Sequence, residues 1–196
     1  MTSPKISILI CSLESRRYLL DRILAHLEVQ RHFLLDRDDV EILVETDNGE
    51  KTTGEKRNIL LDRAAGEYVA HWDDDDLTAP NSLELILKAL ETKPDAVGIN
   101  LIMTTGGGKA ERSFHIQQFN NQEWFQINDP IQPDHFIYFR GANHINPVLT
   151  RIARQVRFPE ITQGEDRVYA RGVCKLIKTM TNIEQPIYFY LFDPQK

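Results

Sequence analysis

The sequence predicts an α/β protein, a Rossmann-like α/β/α sandwich on a mostly parallel central sheet. Three observations carry this expectation. Short β-branched apolar runs alternate with segments whose apolar residues recur at helical spacing. The runs are apolar at consecutive positions, as in strands covered on both faces. Polar or acidic residues follow several of them, where ligands bind in parallel sheets, outside the carboxyl ends of the strands.

Lys5–Ile10 is the first such run, followed by the polar Ser12, Glu14 and Ser15. Tyr18, Leu19, Ile23, Leu24 and Leu27 then repeat with helical period. Val40–Val44 reads as a second buried strand, ending in the turn-prone Thr46-Asp47-Asn48-Gly49. A helix is expected from about Gly54-Glu55 through Ile59, Leu60 and Ala64, with Gly66 as its left-handed stop. Tyr68–Trp72 is the third strand, and it runs into Asp73-Asp74-Asp75-Asp76. Pro80 suits the first turn of the next helix, whose stripe is Leu83, Ile86, Leu87 and Leu90. Ala96–Met103 is a fourth strand, with a turn at Thr105-Gly106-Gly107-Gly108. Residues from about Glu111 to Ile145 are aromatic and polar with weak periodicity, as strands and loops would be. Pro147–Val156 and Glu165–Val173 read as helices, and Leu176–Leu191 as one or two closing strands.

A chain of 196 residues, 41% hydrophobic and 27% charged, has the composition of one globular domain with a proper core. No run approaches the eighteen or so apolar residues of a membrane span. Met1–Lys5 carries no signal-like apolar core, so a cytoplasmic location is expected. Cys11 and Cys174 stand far apart in apolar contexts and read as packed, reduced thiols. The net charge of −6 argues against a protein whose main task is to grip nucleic acid.

Four consecutive aspartates repel one another unless a positive partner compensates, and a hard cation with oxygen ligands is such a partner. On a continued strand, alternate side chains share a face, so Asp73 and Asp75 are the expected metal pair, with Asp74 and Asp76 pointing elsewhere. Mg²⁺ or Mn²⁺ on one or two carboxylates completes its shell with phosphate oxygens and water. The competing reading is a solvated acidic turn that caps the following helix.

The stretch Gly66-Glu67-Tyr68-Val69-Ala70-His71-Trp72-Asp73-Asp74-Asp75-Asp76-Leu77-Thr78-Ala79-Pro80 resembles the central motif of the family 2 glycosyltransferases of GT-A fold. The spacing to Pro80 aligns Asp73 and Asp75 with the family's D-x-D pair, and Asp74 stands where a small residue is usual. Ile8–Leu19 resembles the opening strand and loop, although Cys11, Leu13 and Glu14 replace proline, an aromatic residue and asparagine. Lys56-Arg57-Asn58 resembles the A-R-N segment before the central strand, and Glu45–Gly49 stands in place of D-D-G-S. The resemblance implies a nucleotide-sugar donor held by Ser12, Glu14, Asp47, Lys56, Arg57, Asp73 and Asp74. It also implies a divalent cation at Asp73 and Asp75. Under it, 1–196 forms one catalytic domain, with about 1–103 as the donor half and about 104–196 as the acceptor half.

Gly164-Glu165-Asp166-Arg167 opens a predicted helix and resembles the family's E-D motif. The resemblance makes Asp166 the general base, with Glu165 second; capping of the helix dipole is the competing reading. One carboxylate suffices for an inverting transfer, because the metal stabilises the departing diphosphate. Arg140, Arg167 and Arg171 are further phosphate or acceptor candidates. His135 and His144 lie in the acceptor region and read as packed or hydrogen-bonded. The processive signature Q-x-x-R-W is absent, so a single addition is expected. The acceptor stays open: a glycan, a protein, a lipid-linked intermediate, or a nucleic-acid base, the last not favoured by charge. A nucleotidyltransferase is the alternative enzyme, although Cys11–Arg17 lacks the glycine-rich loop such enzymes carry. A non-catalytic module binding nucleotide or divalent cation is the alternative outside enzymes.

Overall fold

A computed structural model describes residues 3–34, 36–120 and 124–192. In chain order the strands are β1 (Ile6–Leu13), β2 (Val40–Asp47), β3 (Tyr68–Asp73), β4 (Leu77–Thr78) and β5 (Ala96–Thr105). They continue as β6 (Glu111–His115), β7 (Phe125–Asn128), β8 (Phe136–Arg140), β9 (Val148–Leu149) and β10 (Met180–Phe192). The helices are α1 (Arg17–His32), α2 (Thr53–Arg63), α3 (Ser82–Leu90), α4 (Thr150–Ala153) and α5 (Glu165–Leu176).

Among the described residues, ten strands form one sheet in the order β2-β1-β3-β9-β5-β6-β8-β7, with β10 alongside β5 and β4. β1 is parallel to both β2 and β3, and Ile6, Ile8, Leu9 and Ile10 are completely buried. The connections β1-α1-β2 and β2-α2-β3 run in opposite directions along the sheet. Right-handed crossovers therefore put α1 and α2 on opposite faces. α1 packs with α3, while α2 and α4 pack with α5. The mixed α/β sandwich and its mostly parallel central sheet agree with the expectation.

Several local expectations change. Val148 and Leu149 form a short strand instead of the start of a helix, and the helix shrinks to Thr150–Ala153. The edge of β3 and the start of β5 need backbone partners, and β9 supplies them to both. Helix α2 begins on a capping box, with Thr52 accepting from the Glu55 amide and the Glu55 carboxylate accepting from that of Thr52. It ends at Arg63, so Gly66 is not its stop. A Cβ at Gly66 would stand 2.5 Å from the Ser7 amide nitrogen, and this close approach to β1 is what requires glycine there. Pro80 precedes the Asn81 cap of α3 and lies outside its first turn. Leu176 still belongs to α5, and β10 is one long strand with register shifts around Pro186, which cannot donate to the ladder.

Candidate active site

The parallel strands deliver their carboxyl ends to one edge. Leu13 stands in register with Asp47, and Cys11 with Asp73. β1 lies between neighbours reached in opposite directions, so a crevice opens beside it. Strand geometry stops at Asp73 and residues 74–75 turn, so the alternation expected along the acidic run does not extend through it. Each aspartate finds its own partner instead.

Asp73 accepts from Arg57 Nη2 at 2.9 Å through Oδ1, and its Oδ2 stands 3.3 Å from His144 Nε2. Asp74 accepts from the Ser12 hydroxyl and from Arg16. Asp75 lies 2.7 Å from the same Arg16 guanidinium, and Arg22 donates to its carbonyl at 2.6 Å. Asp76 is buried, accepts from the Leu191 amide at 2.8 Å, and leaves Oδ2 without a hydrogen bond among the described residues. Burial and the neighbouring Asp73 push its carboxyl well above the usual range. The compensating charge for the run is thus partly internal.

Arg57 ties this edge to the second half of the chain. Its Nε lies 3.3 Å from Glu165 Oε1, and its guanidinium stands 5.5 Å from the centre of the Phe158 ring. Burial raises the Glu165 carboxyl, with Arg57 opposing. Burial would raise Asp73 too, but the Arg57 charge, with the His144 hydrogen bond beside it, outweighs it and holds that carboxyl below the usual range. Gly164, at φ 82°, turns the chain into α5 and places Glu165 and Asp166 on its first turn. His144 Nδ1 stands 3.8 Å from Asp166 Oδ2.

Burial and the Arg57 charge lower the His144 pKa, so its contacts with both carboxylates are those of a neutral imidazole, not ion pairs. Donation to Asp73 fixes the proton on Nε2. Nδ1 is then a buried acceptor without a hydrogen bond among the described residues, beside Asp166. Arg57, Asp73, His144, Asp166, Arg140 and Tyr190 line one cavity of about 600 Å³. The predicted base and the first predicted metal ligand therefore share a chamber, although 93 positions separate them in the chain.

Lys56 is turned into the fold. Its ammonium donates to the Ser12 carbonyl and to Asp47 Oδ1, both at 2.8 Å. Asp47 also accepts from the amides of Gly49 and Lys51. Burial alone would raise its pKa, but these donors lower it. This cluster fixes the ends of β1 and β2 relative to α2, and a direct ligand contact by Lys56 would have to replace one of its bonds. Glu14 is exposed on the short 3₁₀ turn that follows β1.

Among the described residues no three histidine, cysteine or acidic side chains form a metal cage. The donor set fits an ion held by one or two carboxylates and completed by phosphate oxygens and water, as Mg²⁺ and Mn²⁺ are. Asp75 is part-exposed and must exchange Arg16 for the ion, whereas both oxygens of Asp73 are already engaged.

Sequence reasoning missed Arg16 as the cation of the acidic run and Tyr188 as a support, its hydroxyl accepting from the Asp73 amide at 3.2 Å. It read His144 as packed or hydrogen-bonded, without placing it between Asp73 and Asp166. An arginine three residues after a strand end and an aromatic run near the C-terminus gave no local sign of these roles.

The profile of glycosyl transferase family 2 matches residues 27–145. No curated protein matches the chain. S. aureus TarS 1-349 superimposes with a TM-score of 0.62 at 16% identity, covering 95% of this chain and 60% of that one. Its complex with UDP-GlcNAc gives 0.64 at 15% identity, covering 95% and 58%. The complex with UDP gives 0.63 at 15% identity, covering 97% and 61%. The chain thus spans about three fifths of these structures and has their fold. With more than half its length matched by the family profile, the chain belongs to glycosyl transferase family 2.

Proposed function

We propose that the chain transfers one sugar from a nucleoside diphosphate sugar to an acceptor hydroxyl, with inversion at the anomeric carbon. The observation that carries this reading is the shared cavity, in which Asp166 faces the Asp73 end of the acidic run through His144. A UDP-sugar is the first candidate donor, because the similar TarS structures include complexes with UDP-GlcNAc and UDP.

The acceptor hydroxyl gives its proton to Asp166 as its oxygen attacks the anomeric carbon. The bond from that carbon to the diphosphate breaks on the opposite face, and its electron pair leaves with the nucleotide. Asp75, with Asp73, would hold a divalent cation, Mn²⁺ or Mg²⁺, which neutralises charge developing on the diphosphate. Arg57 keeps Asp73 ionised and Glu165 in place. Ser12 and Asp74 close the floor of the donor side, and Asp47 with Lys56 sets the loops where Glu14 and the nucleoside meet. The family match and the lack of glycine in residues 11–17 favour sugar transfer over nucleotidyl transfer.

Calorimetry with UDP and UDP-GlcNAc, with and without Mn²⁺, tests the donor, and turnover of Asp166→Asn tests the base. The variant is expected to bind UDP normally and to lose about 10²- to 10⁴-fold in turnover. Unchanged turnover would remove Asp166 from the role. No binding of any nucleotide-sugar would remove the donor reading.

A further inference from the structure

We propose that Arg16 is a donor-binding residue that changes partners: it holds the cation's place at Asp75, and turns to the donor diphosphate once that carboxylate is taken. This deepens the reading of a nucleoside diphosphate sugar beside an ion on Asp73 and Asp75, and rests on it.

One nitrogen of Arg16, Nη2, serves two carboxylates at once, pairing with Asp74 Oδ1 and standing 2.7 Å from Asp75 Oδ2. The two contacts differ in kind. Asp74 is buried, and the buried Ser12 hydroxyl holds its other oxygen. The Asp75 side chain is 24% exposed and that of Arg16 35%. Ion pairs that water reaches contribute little, so the Asp75 contact is the one that exchanges readily. Arg22 donates to the Asp75 carbonyl at 2.6 Å, so the main chain is held there while the carboxylate changes partner. Asp74 is then the pivot, and the guanidinium released from Asp75 keeps one anchor.

Helix formation does not account for Arg16. It is the N-cap residue of α1, a helix of 16 residues with no acidic side chain in its first turn. A cation at that end opposes the helix dipole, whereas an anion is favoured there. A fixed ion pair does not account for it either. Pairing with the buried Asp74 alone would satisfy both groups, and the second contact, to the part-exposed Asp75, is one such a pair does not require.

Arg16 stands on the loop after β1, at the carboxyl edge where parallel sheets bind their ligands. A diphosphate arriving there meets Asp74 and Asp75 as like charges. With Asp75 neutralised by the ion, the released guanidinium offers the diphosphate a fork of charged donors. Ion and donor therefore bind with positive coupling, each completing the site for the other.

The test is binding to the full chain and to Arg16→Gln, with Mn²⁺ alone read from the spin resonance of the free ion and UDP in saturating Mn²⁺ read by calorimetry. The variant is expected to bind Mn²⁺ about fivefold more tightly, the worth of one part-exposed ion pair. It is expected to bind UDP about tenfold or more weakly, the worth of one charge-assisted hydrogen bond. These shifts have opposite signs, which loss of a distant positive charge cannot produce. Arg17→Gln removes the same charge one residue on, where it pairs with Asp21, and is expected to change neither affinity. Mn²⁺ binding that is not tightened in Arg16→Gln would overturn the proposal, as would UDP binding that is not weakened. Equal shifts in Arg17→Gln would reduce the effect to net charge and overturn it too. If the unaltered chain binds both Mn²⁺ and UDP, these failures sink this proposal alone. If it binds neither, the nucleotide-sugar reading falls and the role of Arg16 with it.

Discussion

Arg57 is the residue on which the site depends. Its guanidinium is buried between Asp73, from the end of β3, and Glu165, from the start of α5. Two carboxylates from distant parts of the chain can share a water-poor region only with a cation between them. Removal of one partner from such a group is costly because charge is left uncompensated. Arg57→Met is expected to destabilise the protein by about 3–5 kcal/mol, read from urea unfolding. Arg57→Lys should recover part of this, because it restores the charge but not the fork that reaches both acids. A loss below about 1 kcal/mol in Arg57→Met would show that the acids reorganise into water and that the pairing is not structural.

At the scale of elements, the decisive contact is between the first turn of α2 and the segment that precedes α5. The Gly54 amide donates to the Ile161 carbonyl at 3.1 Å. Asn58 bonds the backbone of Phe158 twice, donating at 2.9 Å and accepting at 3.0 Å. Phe158 in turn stacks on Tyr169 of α5, ring centres 4.0 Å apart. This strap carries α5 to Arg57. A Cβ at Gly54 would lie 1.8 Å from the Pro159 carbonyl oxygen, so the strap must move to admit any side chain. Gly54→Ala would gain about 1 kcal/mol on helix propensity alone. It is expected to destabilise instead, and to lower turnover by displacing Glu165 and Asp166. Urea unfolding and kinetics on that variant decide the point, and a stabilised, fully active Gly54→Ala would contradict it. Thr52→Ala removes the capping box and should cost about 1 kcal/mol without this loss of turnover.

At the scale of the molecule, three histidines among the described residues are buried with lowered pKa values. His71 is held down first by burial and then by Arg57, His115 by burial and then by Arg140, and His144 by burial and then by Arg57. Each is neutral in the folded state at a pH where the unfolded chain binds a proton. Below about pH 6.5 the unfolded state therefore takes up more protons than the native state, and stability falls on acidification. The slope reaches about 1.4 kcal/mol per pH unit for each histidine, between the unfolded pKa and the lower folded one. His115 Nδ1 lies 2.8 Å from Asn146 Oδ1, a bond a glutamine amide can also donate. His115→Gln should flatten the slope between pH 6.5 and 5 by about one proton's worth, measured as urea midpoint against pH. An unchanged slope would mean that His115 titrates normally in the native state.

The sequence by itself determined the α/β alternation, the places where β1, β2 and β3 begin, and the segments in which polar residues gather, whereas β1 and β2 each run three residues beyond the ends their apolar runs predict, to Leu13 and Asp47. These are local matters: consecutive apolar β-branched residues demand cover on both faces, and a ligand edge follows from parallel connection. It also marked Asp73, Asp75, Glu165 and Asp166 as the acids to watch. Only the tertiary structure decided what each acid faces. Arg16 compensates Asp74 and Asp75, Asp76 is used inside the fold, and Lys56 holds loops together. β9 enters the sheet because two buried strand edges lack partners, a need that no local pattern expresses. The physical reason is common to all of these. Burial and charge compensation depend on neighbours brought together from distant positions, and local periodicity carries no information about which distant residue arrives.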